Sequence, residues 1–460
     1  MPQTARKSPE FLDRAVIYQL FLRAFTPEGT LTAAARLLPH LADIGVDIVY
    51  LCPIAEADDD NRQDYWSERQ KKSQLGNPKN PYRMKDFYTI DPEYGTTADL
   101  AAFVRQAHKL GLKVMLDLVY LHCGPQAVFI ESHPDFVQRT ASGDVLFGHW
   151  HFPLLNFASA GLREYLWQNM AYFVEKFAVD GYRCDVGDGV PLDFWEEARR
   201  RLDPLKPDLV MLNEGTKPEY LLRAFDLNYD FHWSGVLGQA FRGEIPASAV
   251  IDYWRESGAK RPAGGRCIRA LDNHDIANDS YENRIEQGIG PRAVEAALLV
   301  NHTLDGVPFL YNGYEVVDTI RHSIFGNRFH GANLTIDWSG ALTATGQKRL
   351  LWLRELNQLR HSEPALATGD VQWLEQDQPD AVLAFTRTCA GQRLAVVVNT
   401  RPQPLTVQIK VGPDFEPGEV LIGQGAEGAE TRPASAAGTD VNPDCWRVDL
   451  LPYGCLVAEY

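Results

Sequence analysis

Four short stretches constrain this chain most, because in each a carboxylate or a histidine follows an apolar run. They read DLVYLH (Asp117–His122), GYRCD (Gly181–Asp185), NE (Asn213–Glu214) and DNHD (Asp272–Asp275). Each lies where a buried strand would end and a loop would begin. When parallel strands close into an eight-stranded α/β barrel, their carboxyl ends meet at one mouth, which is where this architecture keeps its chemistry. The four stretches therefore predict a barrel with a polar mouth.

Apolar runs of strand length alternate with helical patterns over most of the chain, as expected for a (β/α)8 TIM barrel. The predicted strands are Ala15–Leu22, Val46–Cys52, Leu112–Leu121, Gly181–Val186, Asp208–Leu212, Ala224–Tyr229, Arg266–Leu271 and Val307–Tyr311. The predicted helices include Thr97–Leu110, Ala160–Phe177, Pro291–Leu304 and Thr345–Arg360. We expect Thr97 or Asp99 to cap the first of these helices and Gly111 to end it.

The pattern divides the chain into a barrel over residues 1–365 and a C-terminal antiparallel β-sandwich over residues 366–460. The sandwich strands are predicted at Val371–Leu374, Val382–Thr388, Leu394–Asn399, Leu405–Val411, Glu419–Ile422 and Trp446–Leu451. Residues 122–158 form a small insertion after the third strand. The polar stretch Ala55–Pro81 is too long for an ordinary loop, so it is either disordered or functional. The functional alternative is favoured because the stretch leads directly into NPYRMKDF.

Charge and cysteine content exclude several classes of function. The net charge of −16 argues against nucleic acid as a ligand, because phosphate binding needs clustered Lys and Arg. No apolar run is long enough to span a bilayer, and Met1–Arg14 does not resemble a signal sequence. The seven cysteines form no CxxC pair, so neither a disulfide framework nor a zinc site is expected. These features predict a cytoplasmic protein without membrane or nucleic-acid partners; its oligomeric state stays open.

Three carboxylates have the placement that cleavage of a glycosidic bond requires. One carboxyl group must protonate the leaving oxygen, and another must attack or stabilise the anomeric carbon. Asp185, Glu214 and Asp275 each follow a predicted strand, and their separations of 29 and 61 positions correspond to one and two strand–helix repeats. Taken singly, each aspartate could instead cap the next helix, and Glu214 could be a surface residue. Their joint appearance at repeat spacing favours catalysis.

Neighbouring residues suggest how these carboxylates would differ. Arg183 lies two positions before Asp185, on the same strand face, and is expected to keep that aspartate ionised. Glu214, between two aspartates, is expected to have a raised pKa. His122 and His274 could donate hydrogen bonds to sugar hydroxyls. Tyr82 could stack on a sugar ring or simply anchor its loop.

These residues resemble the signatures of the α-amylase family, glycoside hydrolase family 13. The matches are Asp117 and His122 in DLVYLH, Arg183 and Asp185 in GYRCD, Glu214 in LNEG, and His274 with Asp275 in DNHD. NPYRMKDFYTIDPEYGT resembles the segment that carries the family's stacking tyrosine, here Tyr82, and VPFLYNGYE resembles the eighth strand. The resemblance covers roughly Ala15–Leu366.

The resemblance implies a retaining double displacement on α-glucosidic bonds. Asp185 would be the nucleophile, Glu214 the acid and then the base, and Asp275 the stabiliser of the transition state. The sugar site would be lined by Arg183, His122, His274 and Tyr82, and Asp117 would organise its floor. The substrate would be an α-glucan or a maltooligosaccharide.

Two departures from the family pattern bear on cofactor and substrate. Leu121 precedes His122 where many members carry an asparagine that helps to bind structural calcium, so no cofactor or metal is expected there. The run VGDGV after Asp185 differs from that of typical starch-degrading members. A glucan transferase or isomerising member of the family remains an alternative, because water and a sugar hydroxyl compete for one intermediate. A non-catalytic carbohydrate- or partner-binding protein is a further alternative.

Overall fold

The computed structural model describes residues 3–279, 284–331, 334–412, 415–426 and 445–460. Its first ten strands in chain order are β1 (Ile17–Leu20), β2 (Ile48–Leu51), β3 (Ala55–Ala57), β4 (Met84–Ile90), β5 (Lys113–Leu118), β6 (Gly181–Cys184), β7 (Val210–Asn213), β8 (Leu227–Asn228), β9 (Arg266–Ala270) and β10 (Val307–Tyr311). Eight of them close a parallel barrel in the order β1-β10-β9-β8-β7-β6-β5-β2. The predicted (β/α)8 barrel is confirmed.

The barrel strands form because their residues are apolar on both faces. Side chains such as Ile48, Met115, Leu212 and Phe309 fill the interior, while the opposite faces pack under the surrounding helices. The strands are shorter than predicted, for example Ile17–Leu20 within Ala15–Leu22. The apolar residues that flank the strands are buried under loops and helices instead of pairing in the sheet.

The helices lie mainly between successive strands. They are α1 (Leu22–Phe25), α2 (Leu31–Ala35), α3 (Leu38–Asp43), α4 (Glu68–Ser73), α5 (Thr97–Lys109), α6 (Ala160–Phe177), α7 (Leu192–Leu202), α8 (Trp233–Arg242), α9 (Ser248–Lys260), α10 (His274–Asp279), α11 (Ile285–Ile289), α12 (Pro291–Thr303), α13 (Ala344–Ser362) and α14 (Pro364–Thr368). The cap of α5 is Thr96, one residue before the predicted Thr97, and it forms a reciprocal capping box with Asp99. Among the described residues, no helix is long and apolar enough to cross a membrane.

The antiparallel strands begin just after α14. The predicted domain boundary, between residues 365 and 366, falls within this helix. The strands are β11 (Asp370–Trp373), β12 (Val382–Cys389), β13 (Gln392–Asn399), β14 (Leu405–Lys410), β15 (Val420–Gln424), β16 (Cys445–Leu450) and β17 (Cys455–Glu459). A five-stranded sheet, β11-β12-β13-β17-β15, and the pair β14-β16 enclose a shared apolar core. The sequence prediction missed β17. Residues 427–444 of the predicted domain lie outside the described residues.

Two irregular segments rise over the barrel mouth. The predicted insertion at residues 122–158 is held by isolated bridges such as His122 with Leu154 and Phe147 with Pro153. The stretch Ala55–Pro81, which follows β2, contains β3, a 3-10 turn at Gln63–Tyr65 and α4. Of the two alternatives for this stretch, disorder does not hold.

Candidate active site

Arg183 is the centre of the site, because one buried guanidinium contacts three carboxylates. Its Nη1 donates to Asp117 Oδ1 and to Asp185 Oδ1, each at 2.8 Å. Its Nη2 forms an ion pair with Glu214 Oε1 at 2.6 Å. Strand register explains the convergence: Asp117 on β5 pairs with Arg183 on β6, which pairs with Leu212 on β7. The cation offsets the cost of burying the carboxylates, which would otherwise be large.

Asp117 lies at the base of the cleft, below the other predicted residues. Its side chain is fully buried. Besides Arg183, it accepts hydrogen bonds from the Tyr50 hydroxyl at 2.6 Å and from the Tyr82 hydroxyl at 3.1 Å. Tyr82 is nearly buried and lines the cleft above this floor. These contacts tie the ring of Tyr82 to the barrel.

Gln19 fixes the tautomer of His274. Its side-chain oxygen accepts from the backbone N–H of His274 at 3.1 Å, and its amide nitrogen lies 2.7 Å from His274 Nδ1. Nδ1 is therefore an acceptor, and Nε2 carries the proton toward the Tyr82 hydroxyl at 2.6 Å. Burial lowers the pKa of His274, so the ring is neutral. The sequence argument missed Gln19, although it is the lone polar residue in the apolar run AVIYQLFL.

His122 is buried beside Tyr82. Its Nε2 lies 2.8 Å from the backbone carbonyl of Tyr82, which can only accept, so Nε2 is the donor and Nδ1 an acceptor. Burial lowers the pKa of His122 to about 4. The expectation that both histidines donate to sugar hydroxyls does not fit this geometry, because their N–H groups are already bound to Tyr82.

Glu214 has the raised pKa expected of a general acid. Burial raises it, Arg183 opposes this effect, and the nearby charge of Asp275 raises it further, to about 7. The backbone N–H of Val186 donates to Glu214 Oε2 at 2.7 Å. Val186 has a φ of 43°, an unusual backbone for a β-branched residue. The strained turn thus aims a main-chain donor at the acid.

Asp188 braces the loop that carries Glu214. It accepts hydrogen bonds from the side chain of Asn213 at 3.0 Å and from the backbone N–H groups of Thr216 and Lys217 at 2.8 and 3.1 Å. A Cβ atom at Gly215 would lie only 2.2 Å from Asp188 Oδ1, so the close approach requires glycine. Sequence reasoning noted VGDGV as a departure from the family but did not identify this brace.

Asp275 is held ionised at the start of α10. Burial acts to raise its pKa, but the positive charges of the guanidinium groups of Arg69 and Arg183 oppose burial and help to hold the pKa low, at about 2. Arg69 Nη1 donates to Asp275 Oδ1 at 3.0 Å. Asn273, not Asp275, caps the helix, since its side chain accepts from the N–H groups of Asp275 and Ile276. The alternative that Asp275 is a helix cap therefore fails.

The protonation of Asp185 differs from the sequence-based expectation. Burial raises its pKa well above the usual range, and Arg183 opposes that effect without overcoming it. Glu214 and Asp117 add negative charge on either side, which also raises the pKa. Arg183 orients Asp185 as predicted, but its charge is shared among three carboxylates and does not by itself keep Asp185 ionised.

The predicted residues enclose a cleft of about 580 Å³ at the barrel mouth. Six of the eight predicted residues line it, namely Tyr82, His122, Asp185, Glu214, His274 and Asp275. Arg183 and Asp117 contact these residues from below. Sequence analysis missed the other walls, which come from the segment after β2, the insertion and the loop after β10, and include Ser67, Arg69, Trp150, Phe152, Ile324 and Phe325.

Leu121 stands where, by the resemblance to the α-amylase family, an asparagine that helps to bind structural calcium would be expected. Its side chain packs toward Gly189, where an added Cβ would lie 3.2 Å from Leu121 Cδ1. An apolar side chain offers no oxygen ligand, so the residue present does not fit calcium at this position. Within the described ranges, no group of three or more His, Cys, Asp or Glu side chains is arranged to hold a metal ion.

Comparisons with known proteins identify relatives of the whole fold. A sequence model described as the α-amylase catalytic domain matches residues 13–151. The α-amylase MalA of Haloarcula japonica is 26% identical over 441 residues, covering 88% of this chain and 58% of the relative. A cyclomaltodextrinase of a Bacillus species is 23% identical over 454 residues, covering 86% of this chain and 75% of the relative. The chain thus spans about half to three quarters of these relatives.

Solved structures resemble the chain along nearly its full length. The α-amylase of Lactobacillus plantarum has a TM-score of 0.78 at 25% identity, covering 98% of this chain and 100% of that one. A noncanonic maltogenic α-amylase, AmyB of Thermotoga neapolitana, has a TM-score of 0.77 at 25% identity, covering 98% of this chain and 96% of that one. The matched catalytic domain, the relatives above and these structures together agree with the resemblance of the chain to the α-amylase family, glycoside hydrolase family 13.

Proposed function

We propose that this protein hydrolyses α-glucosidic bonds of maltooligosaccharides or α-glucans by a retaining double displacement. The proposal rests on the contacts of Arg183 with two carboxyl groups. Its Nη1 lies 2.8 Å from Asp185 Oδ1, and its Nη2 lies 2.6 Å from Glu214 Oε1. A retaining glycosidase needs two carboxyl groups close together, one as nucleophile and one as acid. A shared guanidinium keeps both oriented toward the same cleft.

The roles follow from the surroundings of each carboxyl group. Glu214, with a pKa of about 7, can hold a proton for the leaving oxygen at neutral pH. In its ionised form, Asp185 attacks the anomeric carbon while the leaving oxygen takes the proton of Glu214. Glu214 then takes a proton from water, whose oxygen bonds to the anomeric carbon and displaces Asp185 from the sugar. Asp275, with a pKa of about 2, stays ionised and stabilises the positive charge that develops on the sugar ring.

The names of relatives support a glucan substrate. They include a neopullulanase of Thermoactinomyces vulgaris, 26% identical, and an intracellular maltogenic amylase of Bacillus subtilis, 24% identical. A transferase that passes the same covalent intermediate to a sugar hydroxyl is the second candidate. Analysis of products separates the two, since oligosaccharides longer than the substrate appear only with transfer.

Two further properties belong to this proposal. Activity is independent of calcium at the third strand, for which the apolar side chain of Leu121 is the supporting observation. The protein is cytoplasmic, a location consistent with its seven free cysteines. Its binding partners are sugar substrates, and it binds neither nucleic acid nor a membrane.

The test compares two catalytic variants with a matched control. Asp185→Asn and Glu214→Gln remove one carboxylate each with little change in volume. Asp208→Asn does the same just before β7, at the end of the barrel opposite the mouth, where Asp208 is half exposed. On a panel of maltooligosaccharides, we expect the first two variants to lose about 10²–10⁴-fold or more in kcat and the control to lose none. Turnover by Asp185→Asn close to wild type would refute the proposal and favour a different nucleophile.

A further inference from the structure

The segment after β2 carries Arg69 to the far side of the barrel mouth. Arg69 lies on α4, which Ser67 caps through its hydroxyl. From there its guanidinium reaches Asp275, which follows β9. In the closed barrel, β1 and β10 separate β2 from β9. The segment therefore spans the arc of the mouth over β1 and β10.

Buried polar contacts hold this segment in place. The fully buried Arg83 donates to the backbone carbonyls of Tyr65 at 2.7 Å, Asp60 at 2.8 Å and Pro78 at 2.8 Å. Gln70, also buried, donates to the carbonyls of Asn77 and Pro78. Such contacts satisfy the backbone of an irregular stretch from within. The position of Arg69 is thus determined by the fold of its own segment.

The segment joins its neighbours into a continuous wall. On one side, the Tyr65 ring lies 5.4 Å from the Phe147 ring of the insertion, and Glu68 lies 3.7 Å from His151. On the other side, the Asn77 side chain donates to the carbonyl of Phe325, in the loop after β10, at 2.9 Å. We call this set of contacts the β2 wall. It runs from the insertion, over the segment, to the loop after β10.

The middle part of the β2 wall, formed by the segment after β2, lies across the barrel mouth from the general acid. Following the strand order, β7 and its Glu214 are four strands away from β1, on the other side of the barrel. The acid must lie beside the leaving group, because it protonates the oxygen of the bond that breaks. The leaving group therefore extends from the Glu214 side. The β2 wall closes the opposite side, which receives the part of the substrate on the non-reducing side of the bond that breaks.

The pair of Arg69 and Asp275 is suited to the hydroxyls of that sugar. An ionised carboxylate accepts hydrogen bonds, and an adjacent guanidinium donates them, so together they match two neighbouring hydroxyl groups. In an α-1,4 chain, the hydroxyl oxygen opposite the anomeric carbon carries the next sugar toward the non-reducing end. A wall at that position leaves no path for the chain to continue.

We infer that Arg69 and the β2 wall make the enzyme act from the non-reducing end of short α-glucan chains, with Arg69 binding hydroxyls of the terminal sugar. This inference rests on the proposed function and adds the direction of cleavage to it. Arg69 is then a specificity-determining residue that works together with Asp275.

The experiment uses the full chain and two probes, 4-nitrophenyl α-maltopentaoside with a free non-reducing end and the same compound with an ethylidene group bridging O4 and O6 of the terminal sugar. Products are separated by chromatography. We expect wild type to cleave the free substrate and leave the blocked one essentially intact. Cleavage of both at similar rates would overturn the inference and leave hydrolysis standing. Cleavage of neither would refute the proposed function itself, and the inference with it.

Variants of α4 test the role of Arg69. Loss of hydrogen bonds from a charged group predicts that Arg69→Ala lowers kcat/KM on the free substrate by roughly ten- to a hundredfold. Lys72, an exposed cation on the same helix, supplies the control Lys72→Ala, which should match wild type. Arg69→Lys, which keeps the charge near Asp275, guards against a folding defect, and thermal unfolding is measured for each variant. An Arg69→Lys variant that folds and cleaves the free substrate as fast as wild type would overturn the role of the guanidinium.

Discussion

Raising the pH above 7 is expected to remove the proton from Glu214 and with it the acid that the first step needs. With a pKa of about 7, roughly half of the molecules hold the proton at pH 7 and about one in a hundred at pH 9. The free-enzyme parameter kcat/KM on a maltooligosaccharide should therefore fall about tenfold per pH unit on the basic side. The measurement is a pH profile of glucose or maltose release between pH 5 and 9.

A change of leaving group provides the control for this assay. A dinitrophenyl α-glucoside has a leaving group that departs without a proton, so its rate should depend far less on Glu214. The variant Glu214→Gln should lose the basic limb with the natural substrate and retain much of the first step with the activated one. A rate on maltooligosaccharides that stays flat from pH 7 to 9 would refute the assignment of Glu214 as the acid.

The same pKa bears on stability, with a sign that can be worked out. Because the folded-state pKa of Glu214 lies above the usual value of 4.5, the native state holds this proton more tightly than the unfolded chain. The stability that the folded state gains by holding this proton is fully present below about pH 4.5, and it is lost as the pH rises through about 7. Glu214→Gln should remove this part of the pH dependence of the unfolding midpoint.

Three further outcomes are expected. Arg183→Met leaves three buried carboxylates without their cation and should lower the free energy of unfolding by about 3–5 kcal/mol in urea denaturation; an unchanged midpoint would contradict the role of Arg183. Val186→Gly relieves a φ of 43° and should leave the unfolding temperature equal or raise it, by an effect of about 1 kcal/mol, whereas a marked drop would show that the valine side chain outweighs the strain. Treatment with EDTA should change neither activity nor thermal unfolding, and a fall in either would show that a metal ion supports the fold.

The barrel could be predicted because its strands are buried on both faces and leave a local apolar signal. Ala160–Phe177 and Val307–Tyr311 were predicted with both ends as observed. Strand β17 was missed although it pairs with β13 on one side and β15 on the other, because CLVAE follows a turn at the end of the chain. Strand pairing depends on partners far away in sequence, which a local pattern does not reveal.

The proposed catalytic carboxylates could be predicted for the same reason, since Asp185 and Glu214 directly follow β6 and β7, and Asp275 lies five residues after β9. The supporting residues could not. The contact of Arg69 with Asp275 joins positions 206 residues apart, and Gln19 reaches His274 across 255 residues. The alternative hydrogen-bond roles of the two histidines were equally hidden, because they depend on which acceptor each ring nitrogen meets in the folded chain.

The convergence of carboxylates on Arg183 also has a consequence for which molecules can enter. Four carboxyl groups surround the cleft or its floor, Asp117, Asp185, Glu214 and Asp275, against the two guanidinium groups of Arg183 and Arg69. When Glu214 holds its proton and the other three carboxyl groups are ionised, the site carries one more negative than positive charge in a partly dry setting, where electrostatic interactions are strong. It attracts the cationic character of a sugar losing its leaving group and repels anions. Phosphorylated or acidic sugars should accordingly be poor substrates, and the site selects neutral glycans before any hydroxyl is recognised.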